Sequence, residues 1–336
     1  MLKINSWKVR AFLSVGVLLL GLMCTEGCWN NQPNVSLSDE TDDILKGVNL
    51  SPLSFQPADF TDFFVKAKQA GNIVGWVGDW NELNTDNGPK VIAELAATYN
   101  YTPLIELQFF TQSTGVLLRQ LDDATKQVYK NNTVAFADKY KLKYLGIGIE
   151  VNTLFAKSPA DFDAFVQFFG EVYNAIKAKS PDTMVFTIFQ LEVMKGLNGG
   201  LFGGINDPDK SQWSLLDRFP KSDIFAFTTY PGLIYKSPSE IPTDYYSEIQ
   251  THTKKPIAFT EIGWHSEAGL PGWESSEAEQ SEFVTIFFDQ TKDLKEEFAV
   301  WSFLYDQNTL APFRSMGLYR RDGTAKPAWS EWLNSR

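Results

Sequence analysis

"YLGIGIEVN", residues 144–152, is an apolar run of strand length that ends on two polar groups, Glu150 and Asn152. A carboxylate at the end of a strand fit for a protein interior needs a partner or a task, and the rest of the chain must supply it. Seven further runs share the pattern: "KGVNL" (46–50), "NIVGWVG" (72–78), "PLIELQF" (103–109), "MVFTIFQ" (184–190), "IFAFTTY" (224–230), "PIAFTE" (256–261) and "FAVWSFLY" (298–305). Each is too short for a helix and rich in β-branched or aromatic residues, which predicts strands.

Amphipathic stretches lie between them. "SPADFDAFVQFFGEVYNAIKAKS" (158–180) opens with Ser158 as a cap and Pro159 in the first turn. "SSEAEQSEFVTIFFDQTKDLK" (275–295) carries acids early and lysines late, the order that a helix dipole favours. Gly71, Pro181 and Pro256 mark returns to strand. Strand and helix alternating in this way predict a parallel sheet covered by helices, and eight such units predict closure into a single (β/α)8 barrel of the α/β class, residues 45–336. The competing architecture is an open doubly wound sheet. Against it, no GxGxxG follows the first strand and no GxxxxGK[ST] occurs anywhere.

The 336 residues suit one large barrel domain, and 43% hydrophobic residues, with 10 Trp and 26 Phe, provide core and flat surfaces for a ligand. A net charge of -11 excludes nucleic acid as a partner, because phosphate backbones are bound by clustered Lys and Arg. Two histidines, His252 and His265, are too few for a multi-histidine metal cage, and no metal is expected. His252, in "THTKK", reads as a solvated helix end.

At the N-terminus Lys3, Lys8 and Arg10 precede the apolar run "AFLSVGVLLLGLM" (11–23), too short to span a bilayer comfortably. Residues 1–28 resemble a bacterial lipoprotein signal, with Cys28 or Cys24 as the lipidated residue, and 29–44 read as a flexible tether. This predicts export to the bacterial cell envelope as a lipid-anchored protein, or secretion, with the anchor as the only membrane contact.

Barrel enzymes place their chemistry at the C-terminal strand ends. Those ends carry Asn49, Asp79, Glu106 with Gln108, Glu150 with Asn152, Gln190 with Glu192, Tyr230, Glu261 with Trp264 and His265, and Trp301. Strands four and seven face one another across a narrow ring, so Glu150 and Glu261 can approach within about 5 Å, the separation used by paired carboxylates in glycoside cleavage with retention. Two acids so close cannot both ionise easily, which makes Glu150 a proton donor held against Glu261. Such chemistry requires no cofactor.

From about residue 45 to 336 the chain resembles the retaining (β/α)8 glycoside hydrolases. "PIAFTEIGWHS" (256–266) is similar to the nucleophile segment of the endo-β-1,3-glucanase and endo-β-1,4-galactanase families, and "KGVNLSP" (46–52), "FTTYPG" (227–232) and "GLYRRDGTAKPAW" (317–329) add to the likeness. The resemblance implies Glu261 as nucleophile, Glu150 as general acid and then base, and Tyr230 as a hydrogen-bond donor to the nucleophile. It implies Trp301 as the floor of the cleaved sugar's subsite, with a cis Trp301–Ser302 peptide. Relatives carry Asn immediately before the acid/base; here Ile149 stands there, and Asn152 is the candidate to take over part of its work. Asn49, Asp79, Glu106, Gln108, Trp264 and His265 are further substrate-contact candidates, and Trp76, Trp80 and Trp273 are possible ring platforms. The expectation is a monomeric retaining glycosidase acting on a β-linked polysaccharide or oligosaccharide. The alternative is an inactive glycan-binding lipoprotein on the same barrel, which Ile149 favours.

Overall fold

In a computed structural model, which describes residues 44–86, 88–267 and 271–335, the eight apolar runs form the staves of a parallel barrel. The signal, all of the tether but Ile44, and Cys24 and Cys28 lie outside the described residues. The staves are β1 Leu45–Asn49, β2 Ile73–Asp79, β3 Thr102–Gln108, β4 Tyr144–Ile147, β5 in two halves (Met184–Phe186 and Ile188–Gln190), β6 Phe225–Thr229, β7 Ile257–Ile262 and β8 Glu296–Trp301. First and last strands pair, with Val48 opposite Trp301. The ring breaks its ladder at Thr187: the first half of β5 pairs with β4 and the second with β6. Across the break the Ile188 N–H donates to the Gly148 carbonyl at 3.0 Å and the Thr187 hydroxyl to the same oxygen at 3.2 Å. The sheet is thus a nearly closed barrel.

Helices α1 Pro57–Ala70, α2 Gly88–Tyr99 and α3 Asp123–Tyr140 cover the first strands, and α4 Val151–Lys157 and α5 Pro159–Lys177 follow β4. After β5 and β6 come only one-turn helices, α6 Leu191–Met194 and α7 Ile249–His252, joined by 3-10 turns. These two connections are rich in Gly196, Gly199, Gly200, Gly203, Pro208, Pro231 and Pro238, which break helices, so full helical cover is missing there. α8 Glu277–Thr291 and α9 Pro327–Asn334 complete the shell. Ser276 caps α8 through the Glu279 N–H, whereas Ser158, the expected cap of α5, donates to the Asp161 carboxylate and caps no backbone group of that helix.

Two apolar layers result. Ile73, Leu104, Tyr144, Phe186, Ile224 and Phe298 fill the inside of the barrel, and a larger layer, with Phe165, Phe259, Phe287 and Trp332, lies between strands and helices. Because side chains alternate along a strand, this assigns a direction to every residue above the floor. No helix of the described residues is long and apolar enough to cross a membrane.

Candidate active site at the barrel mouth

Inside β7, Ala258 belongs to the apolar floor and Thr260 rises above it, so strict alternation would turn Glu261 outward. A register shift against β6 between Phe259 and Glu261 breaks the alternation. Bulges re-aim side chains in this way, and here Glu261 meets the Tyr230 hydroxyl, which donates to its Oε2. On β4 the ladder ends at Ile147, three residues earlier than its sequence suggests. Gly148 (φ 81°) and Glu150 (φ 54°) both take left-handed conformations, and α4 starts at Val151. For a residue with a Cβ this costs about 1–3 kcal/mol and persists only where the surroundings impose it.

The turn brings Glu150 Oε1 within 2.8 Å of the Thr228 hydroxyl, which donates to it. Thr228 is in turn the ladder partner of Glu261, so the two half-buried glutamates flank one residue of β6. Burial, reinforced by the negative charge of Glu261 and only partly opposed by Thr228, pushes Glu150 up to about 8. Burial also raises Glu261, but there the Tyr230 hydroxyl pulls the other way. The pair is therefore an acid that keeps its proton beside a carboxylate that a donor helps to ionise.

Glu192, at the start of α6, accepts from the Tyr230 N–H (2.9 Å), the Thr229 hydroxyl (3.1 Å) and the Tyr245 hydroxyl (2.9 Å) on one buried oxygen. It thereby anchors the backbone of Tyr230. Ser302 Oγ lies 2.8 Å from the Tyr230 hydroxyl and donates to the Ile262 carbonyl at 3.0 Å. Thr228 and Ser302 were legible from alternation, two residues from Tyr230 and Val300 on the inward face of their strands; Glu192 stood among the strand-end polar residues without a role.

Several expected contacts lie elsewhere. Trp301 is wholly buried on the outer face of β8, packed on Trp332 and Phe283, with its Nε1 donating to the Met316 carbonyl at 2.7 Å. Val300 on one side and Ser302 on the other point inward, so parity forbids Trp301 from flooring the mouth. The Trp301–Ser302 peptide is not cis; among the described residues the cis bond is Ala311–Pro312. Half-buried Phe303 and Phe313 stand beside Tyr230 instead, the Phe313 ring edge-on to it at 5.4 Å. Asn152 is committed to β5: its Nδ2 donates to the Gln190 carbonyl (3.0 Å) and Gln212 (3.1 Å), and its Oδ1 accepts from the Gln190 N–H (2.8 Å). Wholly buried, it presents no group to a sugar.

Trp264 is buried, stacked on His265 and bonded through Nε1 to Ser275. His265 is buried as well, its Nε2 facing the Trp273 carbonyl at 3.2 Å, and burial lowers its pKa. Asp79 pairs with Arg119 at 2.7 Å and caps the turn after β2 through the Asn81 N–H. Gln108 donates to Gln112. Trp76 and Trp80 are buried packing residues, while Trp273 is half-buried with its Nε1 on the Gly232 carbonyl. His252 is not merely solvated: it stacks on Trp213 at 4.3 Å. Asn49 and Glu106 do reach the barrel interior, below the two glutamates.

Among the described residues no cluster of three or more His, Cys, Asp or Glu could hold a metal ion. Surface clefts of about 420 Å³ between α3 and α5, and about 320 Å³ beside α8 and α9, are lined by no buried acid. The glutamates that burial raises most completely, Glu106, Glu150, Glu192 and Glu261, gather at the mouth.

No family model matches the chain, and no curated protein matches it in sequence. Its likeness to known proteins is one of fold. A family 39 glycoside hydrolase from Bacteroides cellulosilyticus WH2 superposes with a TM-score of 0.57 at 14% identity, over 86% of this chain and 62% of that one. An exo-β-1,4-mannosidase from Opitutaceae bacterium strain TAV5 gives 0.58 at 15%, over 86% and 58%. Xylanase 10B from Thermotoga maritima gives 0.58 at 13%, over 86% and 94%. The chain spans less than two thirds of the length of the first two. The barrel is of the kind these glycoside hydrolases use.

Proposed function

We propose that the chain is a retaining glycoside hydrolase of β-linked glycans, with Glu261 as nucleophile and Glu150 as acid and then base. One observation carries the reading: two carboxyls flanking Thr228 are tuned apart, Glu150 kept protonated to about 8 and Glu261 hydrogen-bonded by Tyr230. In the first step the Glu261 carboxylate attacks the anomeric carbon while Glu150 gives its proton to the departing oxygen. In the second, the Glu150 carboxylate takes a proton from water, whose oxygen displaces Glu261 and regenerates both groups. Half-buried Phe303 and Phe313 offer the apolar surface on which a sugar's CH face packs.

The test is a panel of β-glucans, galactans, mannans and xylans, with the anomer of the first product followed by NMR. A β-anomer as first product, and an α-glycosyl azide from Glu261→Gly with azide, are expected. A first product of inverted configuration, or full activity in Glu261→Ala, overturns it.

A second reading, a glycan-binding protein without turnover, is favoured by Ile149, which is buried in the barrel's apolar floor and offers no amide to a sugar hydroxyl. Tight binding of a glycan that is never cleaved, even on long incubation, selects it. Lipid anchoring is proposed as well: labelled palmitate should enter the wild type and be lost in either Cys24→Ala or Cys28→Ala.

A further inference from the structure

Beneath the two glutamates lies a third acid that the proposed reaction does not use. Glu106, on β3, is wholly buried, and neither of its oxygens has a hydrogen-bond partner among the described residues. Asn49 Oδ1 and Thr260 Oγ1 are buried and unpartnered in the same way, while Asn49 Nδ2 already donates to the Thr260 carbonyl at 3.0 Å. The group is compact: a Cβ built on Gly75 would fall 1.8 Å from Asn49 Oδ1 and 3.6 Å from Glu106 Oε1.

Among the described residues no cation faces this cluster. β1 contributes Asn49, β2 Gly75 and Val77, β4 Gly146, β5 Ile188, and β7 Thr260 and the acid Glu261, with Glu150 farther up the mouth. The charged residues of α2 are occupied outside the barrel, Lys90 with Asp86 and Glu94 with Tyr140. An ionised Glu106 could accept from the Thr260 hydroxyl but would leave Asn49 Oδ1 without a donor and set a second negative charge under Glu261.

We propose that Glu106 is a neutral carboxylic acid in the folded protein and a positioning residue for Glu261, its proton completing the hydrogen bonds of Asn49 and Thr260. Its hydroxyl donates to Asn49 Oδ1, its carbonyl accepts from the Thr260 hydroxyl, and Thr260 is thereby held next to Glu261 on the bulged strand. A neutral Glu106 then adds no negative charge beneath the group that must attack. Only the naming of Glu261 as the reacting group rests on the proposed function. Burial and the charge of Glu261 outweigh the Thr260 hydroxyl, which acts to lower it, and hold Glu106 well above the usual carboxylate range.

A group whose folded pKa is raised withdraws stability as pH climbs above its unfolded value of about 4.3. Glu106→Gln keeps shape and neutrality but cannot ionise. Its melting temperature should gain on wild type by about 2–4 °C per pH unit between that value and the folded pKa. The difference infrared spectrum, wild type minus Glu106→Gln at neutral pH, should show the carbonyl stretch of a protonated acid. The spectrum of Glu150→Gln, which removes the other expected protonated acid, keeps the question answerable if the Glu106 variant does not fold: a protonated-acid band must remain at neutral pH. A carboxylate band in its place, or parallel melting curves across pH, overturns the proposal. So does a wild-type melting temperature that rises with sodium or potassium at constant ionic strength and no longer does so in Glu106→Gln, which would assign the oxygens to a metal cation. These measurements need no substrate, so they stand if the glycosidase reading falls. If it holds, the acid limb of kcat/KM stays in place in Glu106→Gln; a downward shift by about one unit or more would mean that Glu106 was ionised.

Discussion

The ends of β4 and β7 each deliver a glutamate to the same mouth, by opposite means. On β7 the sheet continues: a bulge rotates Glu261 inward while Ile262 stays paired with Thr229, and the tyrosine two strand positions away bonds the carboxylate. On β4 the sheet stops, and Glu150 hangs from a left-handed residue at the start of a helix with one neutral hydroxyl as partner. The difference separates the two charge states. A carboxylate on a rigid, donor-supplied strand is ready to ionise; one turned into a partly apolar corner beside it keeps its proton.

The comparison breaks most visibly by deletion. Glu261→Ala should lose on the order of 10⁴-fold or more in kcat on every glycoside, whereas Glu150→Ala should lose about 10²–10⁴-fold on natural linkages. With an activated aryl glycoside, whose leaving group needs no proton, the first step of Glu150→Ala should recover, and burst kinetics would reveal it. Equal losses on both substrates would deny the two residues separate roles. Tyr230→Phe should come next: removing a hydrogen bond to a charged group costs about 10–100-fold. Because that bond favours the ionised form, the acid limb of kcat/KM should move to higher pH. The alkaline limb should fall as pH rises through about 8, where Glu150 loses its proton. Thr228→Val, which removes the donor that lowers Glu150, should raise that limb by up to about one unit. The smallest effect on turnover is expected from Trp301→Phe, which should cost about 1–3 kcal/mol of stability in urea unfolding yet leave KM unchanged. A tenfold rise in KM would return Trp301 to the sugar site.

Trp301 and Glu261 also measure how far the strands could be read. Both stand at strand ends, and the family likeness turns both toward substrate. Alternation counted from the floor residues turns both away, since Val300 and Ser302 face inward on β8 and Ala258 and Thr260 on β7. The bulge decides between them, rescuing Glu261 and leaving Trp301 outside. A bulge is one residue of local geometry paid out along a whole sheet, and no residue type in "PIAFTEIGW" announces it. Asn152 fails for a related reason. Its side chain looks free in a list of strand ends, but the helix that begins at Val151 carries it to the broken stave β5, whose backbone groups at Gln190 take it. The break itself, at Thr187 inside an unbroken apolar run, could not be seen in "MVFTIFQ".

What the sequence determined alone was the alternation. Short β-rich runs and amphipathic stretches repeat eight times, and their spacing selects a parallel barrel because hydrophobic burial depends on period, which a linear chain displays openly. It also placed glutamates, a tyrosine and an asparagine at strand ends. Tertiary structure decided which of them face one another, because direction at a strand end depends on bulges, left-handed residues and ladder breaks that arise only when neighbouring staves compete for the same hydrogen bonds. The proton on Glu150, and the unpaired oxygens around Glu106, follow from that packing and from nothing local to either residue.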